Sequence, residues 1–393
     1  MSTPFYDLAS MVVLPSGYKS GKIYAQKPLT TDGQLTFTRA STATRVNASG
    51  LIETVSSGVP RLDYLGSTCP KLLLEPQRTN LALYSEQFNN AAWDNAGGAI
   101  VSANTTVAPD GTTTADTATF GAGSAILRQI TTSLTPSVSY TFTAYVKKSA
   151  TSGANNVRLT INNTVSWSGA GSTKITLTNS WQRISLTWTS DVNAYLIIGS
   201  VDQNGNPDTS CYGNVDIWGA QFEQGAYATS YIPTTTAAVT RLGDVATKTG
   251  ISSLIGQTEG TLFVDVSGES LQDNSRYMSI SDFNDPNKRI TIYQASGKIN
   301  VYCSAGSTFN LDYNPPAGRL KIAFGYKSGQ YVLYVNGVNA ASSTEAVVQG
   351  CPDLGLGVNE YLGTANPPAV GYNQVLLFKT RLTNAQLAEL TTL

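Results

Sequence analysis

Apolar and polar side chains alternate one by one through much of this chain. Val138, Tyr140, Phe142, Ala144 and Val146 are interleaved with Ser139, Thr141, Thr143 and Tyr145. Val157, Leu159 and Ile161 enclose Arg158 and Thr160, and Ile184, Leu186 and Trp188 enclose Ser185 and Thr187. A period of two sends one set of side chains to a core and the other to solvent, so these stretches predict antiparallel strands of a sandwich or jelly roll. The pattern returns after Gly260, where residues 261–266, 289–293, 298–302 and 374–378 read as strands. Asn336-Gly337 between apolar runs predicts a type I′ hairpin turn. Helical spacing is confined to the end. Thr383-Asn384-Ala385-Gln386 has the capping-box pattern, and Leu387, Leu390 and Leu393 follow at intervals of three. One short C-terminal helix is expected there.

The resulting fold class is all-β. Two antiparallel β-sandwich (jelly-roll) domains stand in series after a short N-terminal anchoring leader. The composition shifts place the leader and attachment region at 1–64, a connector at 65–79, a jelly roll at 80–233, a linker at 234–244 and a second sandwich at 245–393. Pro233 closes the middle block, because proline cannot continue a central ladder. In the leader, residues 35–39 and 51–55 read as strands on either side of a turn at Asn47-Ala48-Ser49-Gly50. Its apolar mass is small for a core of its own. Two outcomes stay open: it packs on a later domain, or it docks onto another protein.

Composition narrows the function. Charged residues make up 13% of the chain and the formal net charge is −1. That is about half the ~25% of an average chain, and it leaves no electrostatic footprint for nucleic acid or anionic lipid. Histidine is absent, which removes Ser-His-Asp and Cys-His nucleophilic catalysis and any His-ligated zinc. Cys69, Cys211, Cys303 and Cys351 show no CxxC spacing; they read as buried free thiols, with a Cys303–Cys351 bridge as the alternative. No apolar run reaches the ~18–20 residues of a membrane helix. The first residues lack the pattern of a signal peptide, so assembly inside a host cell and release by lysis is the expectation. A hydroxyl-rich, weakly charged β-chain suggests binding and display, not an enzyme. A paired-carboxylate hydrolase is the rival, but no pair of acids stands out.

Several stretches resemble phage virion proteins: the head-fibre, spike and tail-associated proteins of phages of Bacteroidota and of the crAss-like group. They are Asp7-Leu8-Ala9-Ser10, Pro15-Ser16-Gly17-Tyr18-Lys19, the run 35–44, Val59-Pro60-Arg61-Leu62-Asp63-Tyr64, Glu75-Pro76-Gln77-Arg78-Thr79-Asn80, Trp218-Gly219-Ala220-Gln221-Phe222-Glu223 and Tyr231-Ile232-Pro233. The middle block looks like a carbohydrate-binding jelly roll. The last block is similar to concanavalin/laminin-G-like lectin domains, on Gly260-Thr261-Leu262-Phe263-Val264, the Asn336-Gly337 strand pair and Arg381-Leu382-Thr383. The resemblance implies a head fibre or spike on the virion surface, made in the host cytoplasm and oligomeric, with a trimer expected. Its partners would be other virion proteins and cell-surface or mucin glycans. Alternatives are a tail fibre or receptor-binding protein, a secreted polysaccharide-binding protein, or a depolymerase. The resemblance brings no catalytic residues.

Sugars are held by aromatic faces and a few oriented polar groups. The candidates are Tyr145, Trp167, Tyr195 and Tyr212 in the middle block and Tyr277, Tyr293, Tyr302 and Tyr313 in the last. Each competes with an ordinary place on a strand surface or in a core. Calcium, which the resemblance brings in as the candidate cofactor, wants clustered oxygens. Asp282, Asn284 and Asp285 form such a loop, with Asp216 and Glu223 as a second choice, against plain turn chemistry. Arg39, Arg45, Arg61 and Arg78 are read either as partners for acids of a neighbouring subunit or as local caps and salt bridges.

Overall fold

A computed structural model describes residues 3–163, 171–190, 192–268, 275–304, 308–345, 350–358 and 367–393. The fold is all-β, with antiparallel sheets and two short α-helices, Thr3–Leu8 and Asn384–Thr391. No helix among the described residues is long and apolar enough to cross a membrane. The chain divides into two compact units. The first combines Met1–Gly50, Thr54–Gln77 and Leu242–Leu393; the second combines Leu51–Glu53 and Arg78–Arg241.

The first unit is a sandwich of an eight-stranded and a nine-stranded sheet. In the eight-stranded sheet the order is Val338–Ser343, Tyr331–Val335, Leu320–Lys327, Glu259–Ser267, Val370–Phe378, Lys71–Leu74 and Arg61–Asp63, and Met11–Val13 also pairs with Val370–Phe378. In the nine-stranded sheet it is Tyr18–Lys19, Lys22–Tyr24, Gln34–Thr38, Val245–Lys248, Asp353–Leu356, Ser275–Asp282, Asp285–Ala295, Lys298–Ser304 and Thr308–Tyr313. Of the two outcomes open for the leader, packing is what its strands do. Met11 lies opposite Leu377, and Thr38 lies opposite Val245. Leu35, Phe37, Leu72 and Leu74 enter the same core as Leu262, Ile280 and Phe324. A segment too poor in apolar residues for its own core gains one by adding strands to both sheets.

The arginines follow the same logic. Arg39 pairs with Asp244 at 3.0 Å, and Arg61 pairs with Glu75 at 2.7 Å and with Asp244. The Arg39, Arg61 and Asp244 side chains have no exposure. Their partners lie within the chain, which corrects the expectation of pairing with a neighbouring subunit. Burial alone would lower the Arg61 pKa, but Asp244 and Glu75 outweigh it and hold the guanidinium above its ordinary value. Arg45 donates to the Tyr18 hydroxyl at 3.2 Å, and Arg78 lies 3.9 Å from Glu223 in the second unit.

Local signals are realised closely. Asn336 and Gly337 both have positive φ, +48° and +83°, as a type I′ turn requires. The Thr383 side chain accepts from the Gln386 N–H while the Gln386 side chain accepts from the Thr383 N–H. Leu387 and Leu390 are buried, but Leu393 lies beyond the helix and is 66% exposed. Cys303 and Cys351 are buried thiols that are not joined in a disulfide, so the alternative bridge is not formed; Cys69 is exposed, against expectation. Burial pushes the Cys351 thiol up to about 12.

The second unit has two five-stranded sheets. One contains Asp94–Ala96, Ile126–Thr132, Asn193–Gly199, Asn156–Asn162 and Gly171–Thr176, in that order. The other contains Ile100–Thr106, Ala115–Phe120, Gly213–Gln224, Ser139–Lys148 and Gln182–Thr189. Phe88, Trp93, Phe120, Phe142, Leu159 and Phe222 fill the space between. Asn80 is buried and locks this unit. Its amide donates to Ala220 O and Ile232 O, and its carbonyl accepts from Ala82 N and Phe222 N. Val239–Arg241, inside the expected linker, forms a strand against Arg78–Asn80.

Candidate functional site

The inner faces of the second unit's sheets are apolar; the outer face of the first five-stranded sheet is mixed. Along Ile126–Thr132, Leu127 enters the core while Ile126, Arg128 and Ile130 point the other way. Asn193–Gly199 alternates likewise, with Leu196 and Ile198 inward and Tyr195 and Ile197 outward. Register brings Asp94 opposite Arg128, Arg128 opposite Ile197 and Ile130 opposite Tyr195. Arg128 and Tyr195 are therefore diagonal neighbours on one face. The guanidinium lies over the Tyr195 ring, 5.7 Å from its centroid, and its Nη2 donates to Asp94 Oδ2. Ile126, Ile197 and Val201 form an apolar floor against which Tyr195 packs.

A depression of about 330 Å³ opens beside this group, lined by Leu83, Ala92, Asp94, Arg128, Gln129 and Ile130. Its wall is fixed by Gln129, which is buried and bonds both backbone groups of Leu83: Leu83 N donates to Oε1 at 2.7 Å and Nε2 donates to Leu83 O at 3.0 Å. Ile130 is 51% exposed on the rim. The arrangement sets an amphipathic ring edge, apolar surface, a donor fork and a carboxylate acceptor side by side. That set suits a small polyhydroxylated ligand.

The other sequence candidates are placed differently. Tyr145 is half-buried in an aromatic cluster, 5.6 Å from the Trp218 ring and 6.3 Å from that of Tyr231, with Arg183 over its face; the expectation that it offers a face is corrected. Tyr212 serves as a tether, its hydroxyl accepting from Gly123 N at 2.9 Å. Tyr277 is 1% exposed and bonds Gln294 Oε1, so it is a core residue and offers no face to a sugar, against expectation. A register irregularity between Arg276 and Met278 turns both Tyr277 and Met278 into the core. Tyr313 packs on the same core beside Leu311. Tyr293 and Tyr302 face outward, half-buried, under Arg276 and Arg289 respectively. Trp167 lies outside the described residues.

The expected calcium loop is turn chemistry. Asp282 Oδ1 accepts from Asn284 N, Asp285 Oδ1 accepts from Asn287 N, and Lys288 lies 3.6 Å from Asp285. Asp216 pairs with Lys147 at 3.6 Å, while buried Glu223 accepts from Gln221 and Thr229. Among the described residues no group of three or more Cys, Asp or Glu side chains stands placed to hold a metal ion. Sequence reasoning missed Asp94, Arg128 and Gln129. The one available signal was the alternation of Ile126, Arg128 and Ile130.

Comparison with known proteins bears on the same region. Residues 80–200 match the sequence profile of a family described as a carbohydrate binding domain, and Asp94, Arg128 and Tyr195 all fall inside the match. No curated protein sequence matches the chain. Among solved structures, the CBM40 of the Ruminococcus gnavus IT-sialidase bound to alpha2,3 sialyllactose is similar at 17% identity and a TM-score of 0.33, over 36% of this chain and 86% of that one. Domain 4 of AbnA, a GH43 extracellular arabinanase from Geobacillus stearothermophilus, in complex with arabinotriose, is similar at 18% identity and a TM-score of 0.33, over 42% and 82%. Likeness at this level fixes neither ligand nor reaction.

Proposed function

We propose that the second unit binds glycans on the open face around Tyr195, Arg128 and Asp94, without catalysis. One observation carries this reading: an aromatic ring, a guanidinium and a carboxylate converge beside a depression within the residues that match a carbohydrate binding domain. The depression is small, near the lower end of the ~300–1,000 Å³ typical of ligand sites. Binding by a single copy is therefore weak, and display in several copies supplies avidity. The wider role in this reading is that of a virion appendage, a head fibre or spike, assembled as a trimer on other virion proteins and presented to host or mucin glycans. Its support is the resemblance of the stretches between Asp7 and Pro233 to such proteins. The same resemblance extends to tail fibres, which are the alternative.

A glycan array probed with the full chain tests the binding role. Tyr195→Ala and Arg128→Ala are each expected to lower retention at least tenfold with the fold intact. Retention unchanged by both substitutions would remove this face from consideration. Mass spectrometry of separated heads and tails from purified virions tests the location, and absence from both would end the virion reading.

A further inference from the structure

The glycan face holds a charge pair joined by a single hydrogen bond, with most of its bonding capacity unused. Arg128 donates from Nη2 to Asp94 Oδ2. The donors on Nε and Nη1 of Arg128 and the second carboxylate oxygen of Asp94 make no hydrogen bond to any described residue. Both side chains line the depression, and the Asp94 side chain is 55% exposed. The remaining lining residues, Leu83, Ala92, Gln129 and Ile130, carry no charge, and the Gln129 amide is already committed to Leu83. The local charge is therefore zero, with one strong acceptor and one set of donors side by side.

We infer that Asp94 is a specificity determinant that selects uncharged sugars and rejects those bearing a carboxylate, an inference that rests on the glycan-binding reading of this face. A vicinal diol complements the pair: one hydroxyl donates to the free Asp94 oxygen and its neighbour accepts from the free Arg128 donors. A sugar carboxylate can only accept. To take Arg128 in a two-pronged bond it must share the guanidinium with Asp94, and it then lies beside an exposed negative charge that no other lining residue balances. A carboxylate next to a carboxylate is repelled, and a hydroxyl is not. An arginine in a glycan site would alone argue for acidic sugars; here its carboxylate partner reverses the preference.

The test uses matched oligosaccharides that differ only at C6: galactotriose against trigalacturonate, and cellotriose against its glucuronate counterpart. The full chain is compared with Asp94→Asn, which keeps shape and removes charge, by isothermal titration at low and at high salt. The wild type is expected to favour the neutral member of a pair at least tenfold, and salt should narrow that gap. Asp94→Asn, with an unchanged thermal midpoint, should bring the ratio to unity or reverse it. A wild type that prefers the acidic member overturns the inference, as does an Asp94→Asn ratio equal to that of the wild type. Binding of neither member of any pair, in a chain that also fails the glycan array, removes the site and the inference together. Binding on the array with an unmoved ratio removes only the role of Asp94.

Discussion

The two units differ in the polar groups that hold their interiors together. In the second, Asn80 is buried with two hydrogen bonds from its amide and two to its carbonyl, holding distant backbone stretches at once. Glu223 is likewise buried and accepts from Thr229 N, the Thr229 hydroxyl and Gln221. In the first, four charged groups (Arg39, Arg61, Glu75 and Asp244) are buried together. Four hydroxyls of the nine-stranded sheet, those of Ser275, Ser279, Ser281 and Thr291, are buried with no partner among the described residues. The difference lies in assembly. The second unit draws its sheets almost wholly from one run of chain. The first must join strands from both ends of the sequence, and charges far apart along the chain fix that junction. Buried polar groups are costly unless satisfied and are useful for specifying one arrangement.

The comparison breaks most visibly at Asp244. Asp244→Ala takes a carboxylate from both Arg39 and Arg61, leaves Arg61 with Glu75, and removes the acceptor for Glu75 N. Removing one partner of a buried network costs about 3–5 kcal/mol. All five tryptophans (Trp93, Trp167, Trp181, Trp188 and Trp218) belong to the stretch assigned to the second unit, so tryptophan fluorescence follows that unit alone while circular dichroism follows both. In urea, the variant should show an early loss of β signal with an unmoved fluorescence midpoint. If the two probes shift together, the units share one cooperative transition and the contrast between them fails.

Thr291→Val sharpens the same contrast with the opposite sign. Valine nearly matches threonine in volume and drops the unpartnered hydroxyl, and replacing an unsatisfied group by an apolar one is neutral or stabilising. The first unit is expected to gain up to about 1 kcal/mol, read from the β signal in the same titration. A loss of stability would mean that the hydroxyl has a solvent or ligand partner.

Much of this fold was legible in local pattern because the physics there is local. Alternation marked the strand Ser139–Lys148, Asn336-Gly337 marked its turn, and Thr383 with Gln386 marked the final helix. The hidden part depended on register across long separations. Arg39 and Asp244 are 205 residues apart in sequence, and no window of alternation joins them. The site was hidden for the same reason. Tyr195 was a candidate by residue type alone, but only the pairing of Asp94–Ala96 and Asn193–Gly199 with Ile126–Thr132 gives it Arg128 and Asp94. Tyr277 misled because one extra residue in a strand reverses inside and outside for the residues beyond it. Tyr313, by contrast, shares the alternation of Phe309 and Leu311, which already pointed inward.

The smallest expected effect is a pH dependence within the second unit, where carboxylates are shifted in both directions. Burial raises Glu86, partly countered by the Tyr231 hydroxyl, and burial raises Asp116 against the N–H groups of Asn104 and Phe88. Asp208 is held low by the Ser210 hydroxyl first, with Arg158 and Lys174 adding to it against burial. A carboxyl with a raised folded pKa takes up its proton more readily folded than unfolded. Its charged form is a burden above the folded pKa, and that burden is relieved as pH falls toward the ordinary value of about 4. A lowered group does the reverse: its stabilisation is complete above the unfolded value and is lost as pH falls through the folded one. Followed by tryptophan fluorescence, stability should therefore rise on acidification from neutral, peak near about pH 4–5, and fall below it. Glu86→Gln with Asp116→Asn should flatten the neutral limb, and Asp208→Asn should flatten the acid limb. A midpoint that rises steadily from pH 4 to pH 7 in the wild type would show that burial of Glu86 and Asp116 does not govern the neutral limb.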